Sequence, residues 1–265
     1  MRYLLLPLAI LVGCASPGHQ KLIVDNQSNL FNGESLLRVS GKEESNCYKE
    51  DLASFTEQAR AQYAKGAKSA QYWSEIGNCM AWHAELRESR FFLGLAQDLA
   101  KTNTEKAMVK NNIAVVYLRQ GRISRAYELL KEARELAPKF VTPSFNLAQL
   151  YVSQNINKEA LKILEQPPCV NSNDAEVLHL RGLAHLQLIQ VKTAGLYLSK
   201  IPSQFHQRAD IALTIAQWHV LEGRPDEALT FLDNRQRGVS AIADKVAERV
   251  EREAKGQIAA REAKK

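Results

Sequence analysis

Ala126, Ala160, Ala194 and Ala228 stand 34 residues apart, and a whole pattern travels with them. Twelve residues before each lies a small residue: Ala114, Ala148, Gly182 and Ala216. Four residues after each lies a leucine: Leu130, Leu164, Leu198 and Leu232. A ring follows the first small residue by three: Tyr117, Tyr151, His185 and His219. A repeat of this length is one supersecondary unit that cannot bury its apolar side alone, so neighbouring units must stack to build a continuous core. With 13 Gly and 8 Pro in 265 residues the composition leans to helix, and 45% hydrophobic against 24% charged residues excludes wholesale disorder.

The pattern resembles the tetratricopeptide repeat. Its fullest copy is Ile113-Ala114, Tyr117, Gly121, Ala126, Leu130, Ala133 and Pro138. These residues fill that family's apolar–small pair, aromatic, inter-helix turn, small, large, small and terminal proline positions in order. Small side chains at Ala114 and Ala126 let the two helices of a hairpin approach closely, while Tyr117 and Leu130 fill the space between hairpins. Gly121 supplies a left-handed C-cap, and Pro138 stops the second helix. The resemblance implies an all-α, right-handed superhelical solenoid with four hairpins over 107–242, bounded at 107–140, 141–174, 175–208 and 209–242. A divergent copy falls at 70–106, with Trp73, Ile76, Gly77 and Met80 on its first helix and Ser89, Leu93 and Ala96 on its second. Three extra residues then reset the register. Before it, Leu52, Phe55, Ala59 and Tyr63 read as a helix within 47–69. After the array, Val239, Ile242, Ala243, Val246, Ala247, Val250 and Ala254 form an apolar stripe, which with the charged tail at 243–265 reads as the end cap that repeat arrays need.

Some positions depart from the family pattern. Pro167-Pro168 cuts the second helix of its hairpin short. Ile189 stands where a turn glycine is usual, and Arg235 where a small residue is usual. Pro225 opens its helix as a first-turn proline.

At the N-terminus, Met1 and Arg2 precede an apolar run, Tyr3 to Val12, of about half the length a bilayer core needs. It ends in Leu11-Val12-Gly13-Cys14, which resembles the bacterial lipobox. That resemblance implies a leader at 1–13, cleavage before Cys14, and diacylglycerol on the Cys14 thiolate. Two or three acyl chains exceed the limit for reversible binding, so the anchor would be stable. The alternative is an ordinary signal peptide that carries a cysteine by chance. Ala15, rather than Asp, leads to an expectation of outer-membrane delivery on the periplasmic face. Residues 14–46, rich in Ser, Asn, Gly and Gln, read as a tether in which Leu22-Ile23-Val24 and Leu36-Leu37 can dock locally.

Loss of Arg2 with the leader leaves 34 basic against 29 acidic residues, so the net charge falls from +6 to +5. The basic residues are interspersed with acidic ones, which argues against a nucleic-acid partner. Phosphate loops, nucleophile elbows, His-Glu-x-x-His and Cys-x-x-Cys are all missing from the sequence. No enzyme activity, cofactor or metal is expected. His185 and His219 share a repeat position; they are either a metal pair or two rings that replace the packing tyrosine. Cys47 and Cys79 are either a disulfide that staples the N-terminal end of the array or two buried thiols in small packing positions. Cys169, which follows Pro168, is either free or pairs between chains.

The tetratricopeptide resemblance also implies a concave face lined by the first helix of each hairpin. The family's groove positions fall on Asn111, Val115, Phe145, Gln149, His179, Leu183, Leu213 and Gln217, with Trp82 and Arg119 as additions. The alternative for Phe145 and Leu213 is packing within the array. This mixture of apolar and amide groups suits an amphipathic helix or extended segment of a protein partner. Length, lipobox, tether and array together resemble the TadD family of Tad (Flp) pilus assembly, and Asn111-Asn112-Ile113-Ala114 also looks like that family. The implied function is an outer-membrane lipoprotein scaffold that assists a secretin or pilus component. An NlpI-like adaptor for peptidoglycan hydrolases or proteases is the alternative.

Overall fold

The computed structural model describes residues 52–66, 69–83, 85–238 and 241–264. The leader, the tether, Cys14, Cys47 and Val239 lie outside these residues, as does the side chain of Trp82.

The described residues form twelve α-helices and no strand. They are α1 (Leu52–Ala64), α2 (Ala70–Trp82), α3 (Leu86–Leu99), α4 (Asn103–Arg119), α5 (Ile123–Leu136), α6 (Val141–Ser153), α7 (Asn157–Leu164), α8 (Ala175–Gln187), α9 (Val191–Leu198), α10 (Ala209–Leu221), α11 (Pro225–Asn234) and α12 (Ala241–Glu262). The sequence period reappears in the backbone. α4, α6, α8 and α10 end 34 residues apart, and α5, α7, α9 and α11 start 34 residues apart. The all-α hairpin fold read from the sequence is the fold of the chain.

One turn geometry joins each of these four pairs. Gly121, Asn155, Ile189 and Gly223 all have positive φ, between 58° and 73°. The next residue's N–H bonds back to a carbonyl five residues earlier: Arg122 to Tyr117, Ile156 to Tyr151, Gln190 to His185 and Arg224 to His219, at 2.8–2.9 Å. This is the Schellman arrangement, which satisfies the last carbonyls of the first helix. Ile189 adopts it despite being β-branched, a conformation that costs an L-residue about 1–2 kcal/mol.

Helix starts and stops follow local chemistry. α4 begins at Asn103, four residues ahead of the expected hairpin boundary at 107. The cause is a capping box: Thr102 Oγ1 accepts from Glu105 N, and Glu105 Oε2 accepts from Thr102 N at 2.9 Å. The backbone N–H groups of Thr102 and Lys101, which donate to it, hold the Glu105 carboxyl below its ordinary value. α7 is short, eight residues, as Pro167-Pro168 requires. α9 is equally short, and Pro202 follows it, disfavouring helical backbone at Ile201.

The described helices divide into two compact units at Leu147/Ala148, within α6. In the N-terminal unit α2 packs on α3 and α4 on α5. Trp73 stacks on Phe92 at 5.6 Å, and both are buried with Met80 and Val109. In the C-terminal unit α8 packs on α9, α10 on α11, and α12 covers α10 and α11. Ala247, Val250 and Ala254 are the buried stripe of α12, packed with Leu213, Ala228 and Leu232. Gln257 Nε2 donates to Val220 O at 3.2 Å, and Arg261 pairs with Asp226 at 3.0 Å. α12 is therefore the cap read from the sequence.

The small-residue positions earn close helix contact. A Cβ built on Gly77 meets Leu93 Cγ at 2.6 Å, and one on Gly182 meets Leu198 Cδ2 at 2.4 Å. Both pairs lie sixteen residues apart, the spacing of Ala114–Leu130. No helix of the described residues is long and apolar enough to cross a membrane.

Candidate functional site

The first helices of successive hairpins are tied by polar side chains at one repeat position. In the N-terminal unit Asn146 Nδ2 donates to Asn111 Oδ1 at 2.9 Å, Asn111 Nδ2 to Asn112 Oδ1 at 3.1 Å, and Asn112 Nδ2 to Ser74 Oγ at 2.7 Å. In the C-terminal unit His179 Nε2 and Thr214 Oγ1 lie 2.8 Å apart. Asn111–Asn146 and His179–Thr214 both span 35 residues. Ser74–Asn112 spans 38, the same link carried across the three extra residues of the divergent hairpin. Pairing buried amides and hydroxyls in this way avoids the cost of leaving them unsatisfied.

This geometry decides where the expected groove residues stand. Asn111, Val115, Phe145, Gln149, His179 and Leu213 are buried in the folded chain. Asn111, Phe145, His179 and Leu213 share the link position, and Asn111 and His179 use it to bond the next hairpin. The positions one turn further along differ in exposure. Val115 and Gln149 are buried, whereas Leu183 and Gln217 are partly exposed. Arg119 is exposed at the end of α4, and its Nη1 donates to Ala81 O at 2.5 Å. Thus, among the described side chains of the expected set, Arg119 in one unit and Leu183 with Gln217 in the other are accessible. Trp82 closes α2.

The two repeat-position histidines pack as the missing tyrosines would. His185 stacks on Tyr197 at 5.4 Å and His219 on Phe231 at 5.3 Å, in each case helix to helix across twelve residues. His185 Nδ1 lies 2.6 Å from Gln190 Oε1, and its Nε2 3.4 Å from Glu165. Burial, with Arg224 nearby, holds His219 below its ordinary value. Among the described residues no group of three or more His, Cys, Asp or Glu could hold a metal ion.

Two features were not foreseen. Arg181, buried on α8, donates to Leu164 O and to Cys169 O, the latter at 2.7 Å, and its guanidinium lies over Tyr197. It thereby closes the irregular junction after α7 and holds the buried Cys169 in place. Arg208, Asp210 and Glu176 form an ion-pair cluster beside His179. The cue available in sequence was an Arg one residue before a repeat's Gly182, at a position where Ile113 and Leu147 stand in sister copies. Cys79 is buried and disulfide-bonded, to a partner outside the described residues.

Residues 117–184 match the tetratricopeptide repeat family model. None of the curated proteins compared matches the chain. Among solved structures, one of MamA (MSR-1 C2) is 19% identical, covering 68% of this chain and 97% of that chain with a TM-score of 0.47. Another of MamA (AMB-1 C2221) is 19% identical, covering 66% and 96% with a TM-score of 0.46. YrrB, described as a TPR protein with an unusual peptide-binding site, is 18% identical, covering 75% and 97% with a TM-score of 0.49. The turn geometry of the matched span, at Gly121 and Asn155, recurs after it at Ile189 and Gly223, so the paired helices have the fold of tetratricopeptide hairpins.

Proposed function

We propose that this chain is a lipid-anchored scaffold that holds a protein partner at the periplasmic face of the outer membrane and assists assembly of a secretin or pilus. The observation that carries the reading is the pairing of an N-terminal lipobox, Leu11-Val12-Gly13-Cys14, with an array of tetratricopeptide hairpins. Acyl chains on Cys14 fix the array at a membrane. The buried polar side chains of the first helices tie hairpin to hairpin, and the partner meets accessible ends: Leu183 and Gln217 in the C-terminal unit, Arg119 in the N-terminal unit. Cys47 completes the Cys79 disulfide in this reading and staples the first hairpin.

The test has two arms. Metabolic labelling with palmitate marks the parent chain and not Cys14→Ala. Deletion of the gene removes multimeric secretin from the outer membrane, and the parent restores it while Cys14→Ala does not. Secretin multimers at parental level in the deletion strain, with altered peptidoglycan hydrolase levels, replace this reading with the NlpI-like adaptor.

A further inference from the structure

Four chemically active side chains gather where α8 meets α10. Arg208, just before α10, sets Nη2 2.8 Å and Nε 3.2 Å from the two carboxylate oxygens of Asp210, and Nη1 3.1 Å from Glu176 Oε1. The same Asp210 Oδ2 that receives Nη2 lies 3.7 Å from His179 Nδ1. His179 is buried, whereas Arg208, Asp210 and Glu176 are about one quarter exposed.

Hydrogen-bond chemistry fixes the ring's tautomer. Thr214 has one hydroxyl proton and gives it to Asp210 O at 2.9 Å. Its oxygen therefore accepts from His179 Nε2 at 2.8 Å. With the Thr214 hydroxyl directed at Asp210 O, neutral His179 is the Nε2–H form and its Nδ1 lone pair faces a carboxylate oxygen. A proton taken up from water at Nδ1 turns that repulsion into an ion pair while the Thr214 bond stays in place. Asp210 Oδ2 then has two cations to serve. Arg208 has a second carboxylate, Glu176, already in reach.

We propose that His179 is a proton-operated switch in the tie between α8 and α10. With the ring neutral, Arg208 bridges Glu176 and Asp210. With the ring protonated, Asp210 pairs with His179 and Arg208 moves onto Glu176. The groups that face the ring are Glu176 from α8, Arg208 from the preceding turn, and Asp210 and Thr214 from α10. Burial, opposed by Asp210 and aided by Arg208, holds His179 below its ordinary value, which puts the transition on the acid side of the usual histidine range. Burial acts to raise the Asp210 carboxyl, but His179 and Arg208 outweigh it and hold it below its ordinary value. The switch changes which carboxylate carries the partly exposed Arg208, on the unit that displays Leu183 and Gln217. It stands independently of the pilus reading.

The test is a titration of the full chain carrying nitrogen-15 histidine and arginine, followed by NMR. The expected result has three parts. His179 Nε2 carries its proton at every pH, Nδ1 gains one with a midpoint below the ordinary histidine value, and the Arg208 Nε resonance shifts with the same midpoint. Asp210→Asn moves the His179 midpoint to lower pH and abolishes the linked Arg208 shift. Glu176→Gln, which keeps the His179–Asp210 pair, removes Arg208's second site, so its resonance no longer follows His179; this variant carries the test should Asp210→Asn fail to fold. A neutral His179 protonated on Nδ1, or an Arg208 resonance that stays still through the His179 titration in the parent chain, overturns the proposal.

Discussion

Gly182→Ala is the sharpest test of the packing rule behind the repeat. A Cβ at this position falls 2.4 Å from Leu198 Cδ2 and 2.5 Å from its Cγ, whereas carbon atoms pack at about 3.5–4.0 Å. One helix must give way by more than an ångström, or Leu198 must leave its rotamer. Leu198 is 1% exposed and packed with Leu186, Ala194 and Ile215, so it has nowhere to go. Overpacking of this kind costs about 1–3 kcal/mol. The helix propensity of alanine over glycine returns about 0.5–1 kcal/mol. The net loss is therefore between about 0 and 2.5 kcal/mol, centred a little above 1. Leu198→Ala alone leaves a cavity and costs about 2–5 kcal/mol. In the double variant the new Cβ occupies part of that cavity, so the double loses about 1–2 kcal/mol less than the sum of the singles. Urea denaturation by far-UV circular dichroism measures the three losses, and hydrogen exchange across α8 and α9 locates them. A Gly182→Ala chain at least as stable as the parent, or strictly additive losses, refutes the reasoning.

Three further outcomes follow from other residues. Ile189→Gly relieves a left-handed β-branched residue that is 67% exposed and raises the urea midpoint by the equivalent of about 1 kcal/mol, whereas Asn155 and Gly223 variants with β-branched residues lower it. Arg181→Met keeps the aliphatic stem but strands the carbonyls of Leu164 and Cys169, so stability measured in the same way falls by about 2–4 kcal/mol and exchange rises first in 165–174. His179 and His219 have folded values held below the ordinary 6.5, so the unfolded chain takes up their protons first. Their contribution is intact above that value and is lost as pH falls below it; the urea midpoint therefore drops between about pH 7.5 and pH 5, and drops less in His179→Gln.

Repetition made the fold legible. Four copies of one pattern fixed the register of every hairpin from 107 to 242, and the positions of Ala126, Leu130 and Gly121 carried their own structural reasons. Ile189 shows why a single residue is weak evidence: its type argues against a left-handed turn, yet the hydrogen bonds of the turn and the packing on both sides impose one. The start of α4 escaped the repeat register because a local capping box outweighed it. The burial of the expected groove positions was less legible. Periodicity places Asn111, Phe145, His179 and Leu213 on one helix face, but it does not say how far that face is covered by the next hairpin. That depends on lateral bonds such as Asn111–Asn146 and His179–Thr214, whose partners lie 35 residues away. The Arg208 cluster was hidden for the same reason: Glu176 and Arg208 meet only after 32 residues of chain have folded back.

Site-specific photocrosslinking in living cells puts the scaffold reading to its most direct trial. A benzophenone amino acid is placed at Leu183 or Gln217, on the accessible ends of α8 and α10, and, as a control, at Lys192 on the exposed side of α9. The account predicts a lipid-anchored adduct containing the secretin from Leu183 and Gln217 and none from Lys192. Adducts of equal yield from all three positions, or no protein adduct from Leu183 and Gln217, contradict it.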